Sequence, residues 1–275
     1  MGDHNGMRPM SVAALAEQNR HLYEHPKIAT HYAGDTALTL CESVVLQQCR
    51  ADYVDKHVLD LGVGAGRTTP WLAPGAASYV GLDYSQIMVA LCKARHPDRT
   101  ILWGDARNLS TFADASFDFV FFSYNGIDAV GHADRQRILR EIARVIRPSG
   151  MLAFSSHNLD CISHWPMHRD ILRLNGRAEP INLLKHCARV AIRTRNVIWN
   201  RRLEDRSPEY AVLTDRGHNL AFLSYHIGPQ AQARQLADAG FSLVEILDLE
   251  GLPVVGTSEA HFLYYLARRN SPQSG

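Results

Sequence analysis

Val58-Leu59-Asp60-Leu61-Gly62-Val63-Gly64-Ala65-Gly66 is the stretch on which the fold turns. A short apolar run ends in three glycines at alternate positions, and a helix is expected after them. A buried strand running into a tight turn accounts for this pattern, because glycine permits positive φ and lets the backbone approach a ligand closely. Taken alone, such a loop also fits an ordinary βα turn. The spacing narrows the ligand. A dinucleotide fingerprint needs a glycine at position 67, where this chain has Arg67. A phosphate-binding loop needs Gly-Lys-Ser/Thr, which is absent. Asp-x-Gly-x-Gly-x-Gly instead suits a ligand without pyrophosphate, whose amino-acid part and ribose lie over the loop.

Outward from this loop, short apolar runs alternate with helical periodicity. Strands are predicted at 57–61, 78–82, 100–103, 117–123 and 151–155, with helices at 85–95 and 133–146 between them. Helical patterns also cover 12–23 and 36–50. After position 228 a helix is predicted at 229–239, then strands at 241–247 and 261–267. Strands alternating with helices of this length imply βαβ units and a parallel sheet. Such sheets bind ligands beyond the carboxyl ends of their strands. Asp83 ends the second strand, where a carboxylate can accept both hydroxyls of a ribose. Asp105 ends the third, where a carboxylate can accept the exocyclic amine of adenine. Either aspartate alone would read as a cap or turn former. Acidic residues at three consecutive strand ends, with Asp60, point to one ligand.

These residues together resemble the core of the class I, Rossmann-like S-adenosylmethionine-dependent methyltransferases. The resemblance rests on the loop 58–66, on Asp83 and Asp105, on Phe117-Asp118-Phe119-Val120, and on Arg147-Pro148-Ser149-Gly150-Met151. It covers about 100 residues firmly and extends loosely through Gly240-Phe241 and the segment 261–268. It implies a three-layer α/β fold around a seven-stranded sheet whose last strand is antiparallel, with S-adenosyl-L-methionine as the cofactor. The implied cofactor-binding residues are Tyr32, Asp60, Gly62, Gly64, Gly66, Asp83, Tyr84, Asp105, Ala106, Ser123 and Tyr124. Tyr32 enters through Ile28-Ala29-Thr30-His31-Tyr32, since many members of the family carry a tyrosine on a helix folded over the cofactor. An electron-rich ring near a sulfonium is attractive by about 0.5–2 kcal/mol; packing is the other role open to Tyr32.

The acceptor is expected beyond the ends of strands four and five, near Ser123, Tyr124, Asn125, Asp128, His132 and His157. A hydroxyl acceptor needs a base, and histidine suits neutral pH. His157 is the first candidate, with His132 and His226 as alternatives; an amine acceptor needs no strong base. Cys161, His164 and His168 have a spacing that a metal could use, but Trp165-Pro166 interrupts the helix and no fourth ligand is evident, so no metal site is expected.

Residues 159–228 read as a mostly helical lid inserted between strands five and six. From 159 to 210 there are ten Lys/Arg against six Asp/Glu, which leaves the rest of the chain net negative and disfavours nucleic acid. The remaining units are helices covering the cofactor at 1–50, the cofactor-binding core at 51–158, the end of the core sheet at 229–268 and a disordered tail at 269–275. The five scattered cysteines read as reduced thiols. No apolar signal segment and no run of about 20 apolar residues is present, so a cytoplasmic protein without a membrane span is expected. The function expected is methyl transfer to an oxygen or nitrogen of a small molecule, such as a sugar or secondary metabolite. Competing readings are an RNA or protein methyltransferase and a non-catalytic cofactor-binding protein.

Overall fold

A computed structural model describes residues 12–161, 172 and 180–271, with side chains described for 14–161, 172 and 185–271. Helices α1 (Val12–Tyr23), α2 (Pro26–Gly34), α3 (Leu40–Gln48) and α4 (Arg50–Tyr53) precede strand β1 (His57–Leu61). Then follow α5 (Thr69–Leu72), β2 (Ser78–Asp83), α6 (Gln86–Arg95), β3 (Thr100–Trp103), β4 (Phe117–Phe122), α7 (His132–Val145) and β5 (Ile146–Asn158). The second half carries α8 (Pro180–Asn200), β6 (Asp205–Arg206), β7 (Tyr210–Thr214), β8 (Leu223–Ile227), α9 (Pro229–Asp238), β9 (Phe241–Leu247) and β10 (Phe262–Arg269).

The strands form one mixed sheet in an α/β, Rossmann-like arrangement. Its main path runs β3-β2-β1-β4-β5, and β10 and β9 continue it beyond β5. β10 pairs antiparallel with β5 and with β9, which makes β10 the reversed strand of the series. Alternate residues of the strands feed two separate cores, because successive side chains point to opposite faces. Leu59, Leu61, Phe122, Phe154 and Tyr265 face Ile138 and Ile142 of α7 and Leu236 of α9. Val58, Phe119, Phe121 and Tyr264 face Val45 of α3, Leu72 of α5 and Val89 of α6. Covered on both faces, the inner strands are continuously apolar, as the almost fully buried β1 and β4 illustrate.

The sheet has ten strands among the described residues, where seven were expected. The three additional strands, β6 to β8, lie inside the segment read as a mostly helical lid. They form an antiparallel meander, β6 with β7 and β7 with β8. β4 pairs with β5 only as far as Phe122 opposite Phe154. Beyond that point β8 joins β5 in parallel, pairing His226 with His157. At His157 the other edge of β5 is taken by Phe262 of β10. The meander therefore continues the sheet past the carboxyl end of β4, beside the crevice where a parallel sheet binds its ligand. Other boundaries shift less. The segment 36–50 divides at Cys49 into α3 and α4, and Arg269, expected in the tail, completes β10. Residues 1–11 and 272–275 lie outside the described residues. All five cysteines are free thiols, and among the described residues no helix is long and apolar enough to cross a membrane.

Candidate active site

The loops after β1, β2, β3 and β4 converge on one cavity. Gly62 and Gly64, Asp83 and Tyr84, Asp105 and Ala106, and Ser123 and Tyr124 line it in turn, together with Asp60 and Tyr32. Of the eleven residues expected there, only Gly66 is absent from the wall. Gly62 needs to be glycine, since its φ is 62° and a Cβ there would lie 2.8 Å from the Phe122 ring.

Asp83 organises this loop. The Gly64 N–H donates to its Oδ2 (2.8 Å) and the Ser85 N–H to its Oδ1 (2.8 Å). Each carboxylate oxygen keeps a second acceptor site. Burial pushes the Asp83 carboxyl up to about 6, against the lowering effect of those two N–H groups. Asp60 is buried too, and Thr68 Oγ1 (2.6 Å) and Tyr79 OH (2.8 Å) both donate to its Oδ2. Burial raises this carboxyl to about 6 as well. Asp105 behaves differently. Burial would raise its carboxyl, but the bidentate guanidinium of Arg107 at 2.7–3.1 Å outweighs that and holds it below the usual range. Arg107 donates in turn to Asp134 at 2.8 Å. The Tyr84 hydroxyl is buried in the cavity wall and has no hydrogen-bond partner among the described residues. An unmet buried hydroxyl costs free energy.

Aromatic side chains close the cavity on the helix side. Tyr23 of α1, which also lines it, packs against Tyr32 (5.5 Å between centroids), Tyr84 (5.9 Å) and Phe222 (5.7 Å). The Tyr32 hydroxyl lies 3.4 Å from Nε2 of His218. Arg95 fixes α2 to the glycine loop by donating to Ala65 O (3.0 Å) and Ala33 O (2.5 Å). Ser123 donates to buried Glu42, which also holds Arg67 through two contacts of 2.5 Å. Arg67 lies over the Tyr124 ring, 4.7 Å from its centroid.

Tyr124 also belongs to a second cavity, shared with Asn125, His157, Asp215, Arg216 and His226. His157 Nδ1 lies 2.7 Å from Asp128 Oδ2, and the His157 backbone N–H donates to the same oxygen (2.6 Å). Burial would raise Asp128, but the Arg135 guanidinium and the His157 hydrogen bonds outweigh it and keep the carboxylate ionised. Arg135 is fully buried on α7 and also donates to Ser156 Oγ (3.0 Å) and Gln232 Oε1 (2.6 Å). An ionised carboxylate only accepts hydrogen bonds, so the bond to Asp128 places a proton on Nδ1 and turns Nε2 toward the second cavity. Nε2 lies 3.4 Å from Asn125 Nδ2 and 3.9 Å from Asp215 Oδ2.

The two other histidines differ. His226 sits behind His157, 4.9 Å between ring centroids, with Ser224 Oγ 2.8 Å from its Nε2. Burial pushes it down to about 3, so it stays neutral. His132 lines neither cavity; it stacks on Tyr210 at 4.0 Å and its Nδ1 lies 2.8 Å from Tyr225 OH. Of the spacing that a metal could use, His164 and His168 lie outside the described residues, and Cys161 Sγ is 3.0 Å from His261 Nδ1. Sequence reasoning missed Tyr23, Glu42, Arg135 and Asp215. Only Glu42 had a local signal, since Thr39-x-x-Glu42 is a capping box, present here.

Residues 59–154 match a family model described as a methyltransferase domain. The demethylmenaquinone methyltransferase of Paenarthrobacter aurescens is 33% identical over 112 residues, 41% of this chain and 43% of that protein. The phthiotriol/phenolphthiotriol dimycocerosates methyltransferase of Mycobacterium tuberculosis is 38% identical over 112 residues, 38% of this chain and 39% of that protein. The chain thus spans about two fifths of the length of these curated relatives. Among solved structures, the Burkholderia thailandensis 1,6-didemethyltoxoflavin-N1-methyltransferase, with bound 1,6-didemethyltoxoflavin and S-adenosylhomocysteine, superposes with a TM-score of 0.59 at 13% identity. It covers 98% of this chain and 94% of its own. An S-adenosylmethionine-dependent methyltransferase from Clostridium acetobutylicum superposes at 0.56 and 13% identity, over 93% and 99% of the two chains.

Proposed function

We propose, from the match of residues 59–154 to a methyltransferase domain and from the site's geometry, that this chain transfers a methyl group from S-adenosylmethionine to a hydroxyl of a small polar molecule. The observation that carries this reading is the adjoining pair of cavities, divided by Tyr124, with the Asp128-held imidazole of His157 on the far side. The residues present fit the cofactor. Asp83, preset by two backbone N–H groups, would accept both ribose hydroxyls, and the buried Tyr84 hydroxyl would gain a partner. Asp105 and Ala106 would flank the adenine, and Asp60 the amino-acid part near Gly62 and Gly64. When bound, S-adenosylmethionine supplies a methyl group already activated on a sulfonium. The chain then has to align the acceptor and take its proton.

His157 does the second. Nε2 accepts the proton of the acceptor hydroxyl while Asp128 holds the ring in the required tautomer and stabilises the imidazolium. Asp215, 3.9 Å from Nε2, adds to that stabilisation. The proton then passes to solvent. The polar side chains of the second cavity suit an acceptor that hydrogen-bonds at several points.

The test is transfer of labelled methyl from S-adenosylmethionine to a panel of hydroxylated and amine acceptors. The expected product is a base-stable ether, lost in His157→Gln while S-adenosylhomocysteine still binds. Transfer to amines at the same rate in wild type and His157→Gln would overturn the assignment.

A further inference from the structure

Helix α8 presents an exposed face of one chemistry. Ile192, Ile198 and Trp199 are 40%, 59% and 53% exposed. Lys185, Arg195, Arg201 and Arg202 are exposed beside them. Lys185, Ile192, Arg195 and Trp199 are spaced three, four or seven residues apart and so share a side of the helix, and Arg201 and Arg202 follow directly after its end. Positions 180 to 203 contain no acidic residue. The first acids beyond, Glu204 and Asp205, accept from Thr214 Oγ1 (2.9 Å) and Tyr210 OH (3.0 Å). Arg202 lies over the Trp199 ring at 5.6 Å.

The opposite side of α8 is held in the fold, which fixes the direction this face points. Val197 and Asn200 are buried. Asn200 donates to Leu220 O (3.1 Å) and accepts from Gln18 Nε2 of α1 (2.9 Å).

We propose that this face docks on an anionic lipid surface. Ile192 and Trp199 set among the cations of this helix match the boundary between acyl chains and anionic headgroups, where tryptophan is favoured and arginine reaches phosphate. Exposed aliphatic side chains have no such partner on a nucleic-acid backbone, which is read by charge and hydrogen bonding. The contact is peripheral and independent of which acceptor the active site takes.

The experiment is co-sedimentation of the full chain with vesicles of phosphatidylcholine mixed with phosphatidylglycerol, against phosphatidylcholine alone. Wild type is expected to pellet with the anionic vesicles at low salt and to be released by high salt. Each cation near such a surface is worth about fivefold in affinity, so Arg195→Gln with Arg202→Gln should weaken binding about 25-fold. Ile192→Ser with Trp199→Ser should abolish it, with an unchanged melting temperature in both variants. Equal pelleting with neutral vesicles, full binding by either double variant, or tighter binding of polyuridylate than of vesicles at the same salt would overturn the proposal.

Discussion

Nδ1 of His157 lies 2.7 Å from Oδ2 of Asp128, and that carboxylate is held ionised by a fully buried arginine, Arg135. The pair differs from a casual surface contact, because it fixes both the tautomer of the imidazole and the direction of its other nitrogen. On this geometry His157→Gln is expected to leave S-adenosylhomocysteine affinity and melting temperature unchanged. The turnover number should fall by about 10²–10⁴, the usual contribution of a positioned general base. Steady-state kinetics beside a binding titration checks the split.

Asp128 has a structural share that His157 lacks. Asp128→Ala leaves Arg135 buried without its counter-charge, which typically costs about 3–5 kcal/mol. Denaturant unfolding should show that loss, whereas His157→Gln should not. Equal stability of the two variants would mean that Arg135 is satisfied without Asp128.

Gly62→Ala should damage cofactor binding and folding together. At a φ of 62° an alanine meets a backbone cost of about 1–2 kcal/mol. Its Cβ would also lie 2.8 Å from a carbon of the Phe122 ring. Thermal unfolding with and without S-adenosylhomocysteine measures both effects.

The raised carboxyls set a pH dependence of opposite sign for binding and for stability. The ionised Asp83 accepts hydroxyl donors on both oxygens, so S-adenosylhomocysteine affinity should be constant above about pH 6 and fall below it. For the unliganded protein, a folded value of about 6 above an ordinary 3.8 means that the folded state binds the proton more tightly. The contribution of Asp83, and that of Asp60, to stability is therefore fully present below 3.8 and lost as pH rises to about 6. Titrations across pH 5 to 8, and melts carried down to about pH 3.5, below the ordinary value of 3.8, separate the two.

Much of this arrangement is legible in the chain itself. The glycine loop, Asp83 and Asp105 sit at strand ends that periodicity locates, because parallel strands buried on both faces are short apolar runs closed by turn residues. The first helix was expected at 12–23 and spans Val12–Tyr23. The meander was missed for a related reason. β7 and β8 are buried along almost their whole length, so the alternation of Leu223-Ser224-Tyr225-His226-Ile227 buries Ser224 and His226 as well, and short strands beside a long basic helix stand out little from it. Within the site, Asp128 with His157 and Glu42 with Arg67 are pairs 29 and 25 residues apart, joined only by the tertiary fold. His132 shows the converse. A histidine close in sequence to the end of β4 faces Tyr210 and Tyr225 instead of either cavity.

The most direct test of the central claim is calorimetric titration of the full chain with S-adenosylhomocysteine, wild type beside Asp83→Ala, with melting temperatures confirming that both are folded. Micromolar binding by wild type is expected. The variant should bind at least about 100-fold more weakly, because two hydrogen bonds to a charged group, each worth about 1.5–3 kcal/mol, are lost. No binding by wild type, or the same affinity in Asp83→Ala, would contradict the assignment of this cavity to the methyl donor.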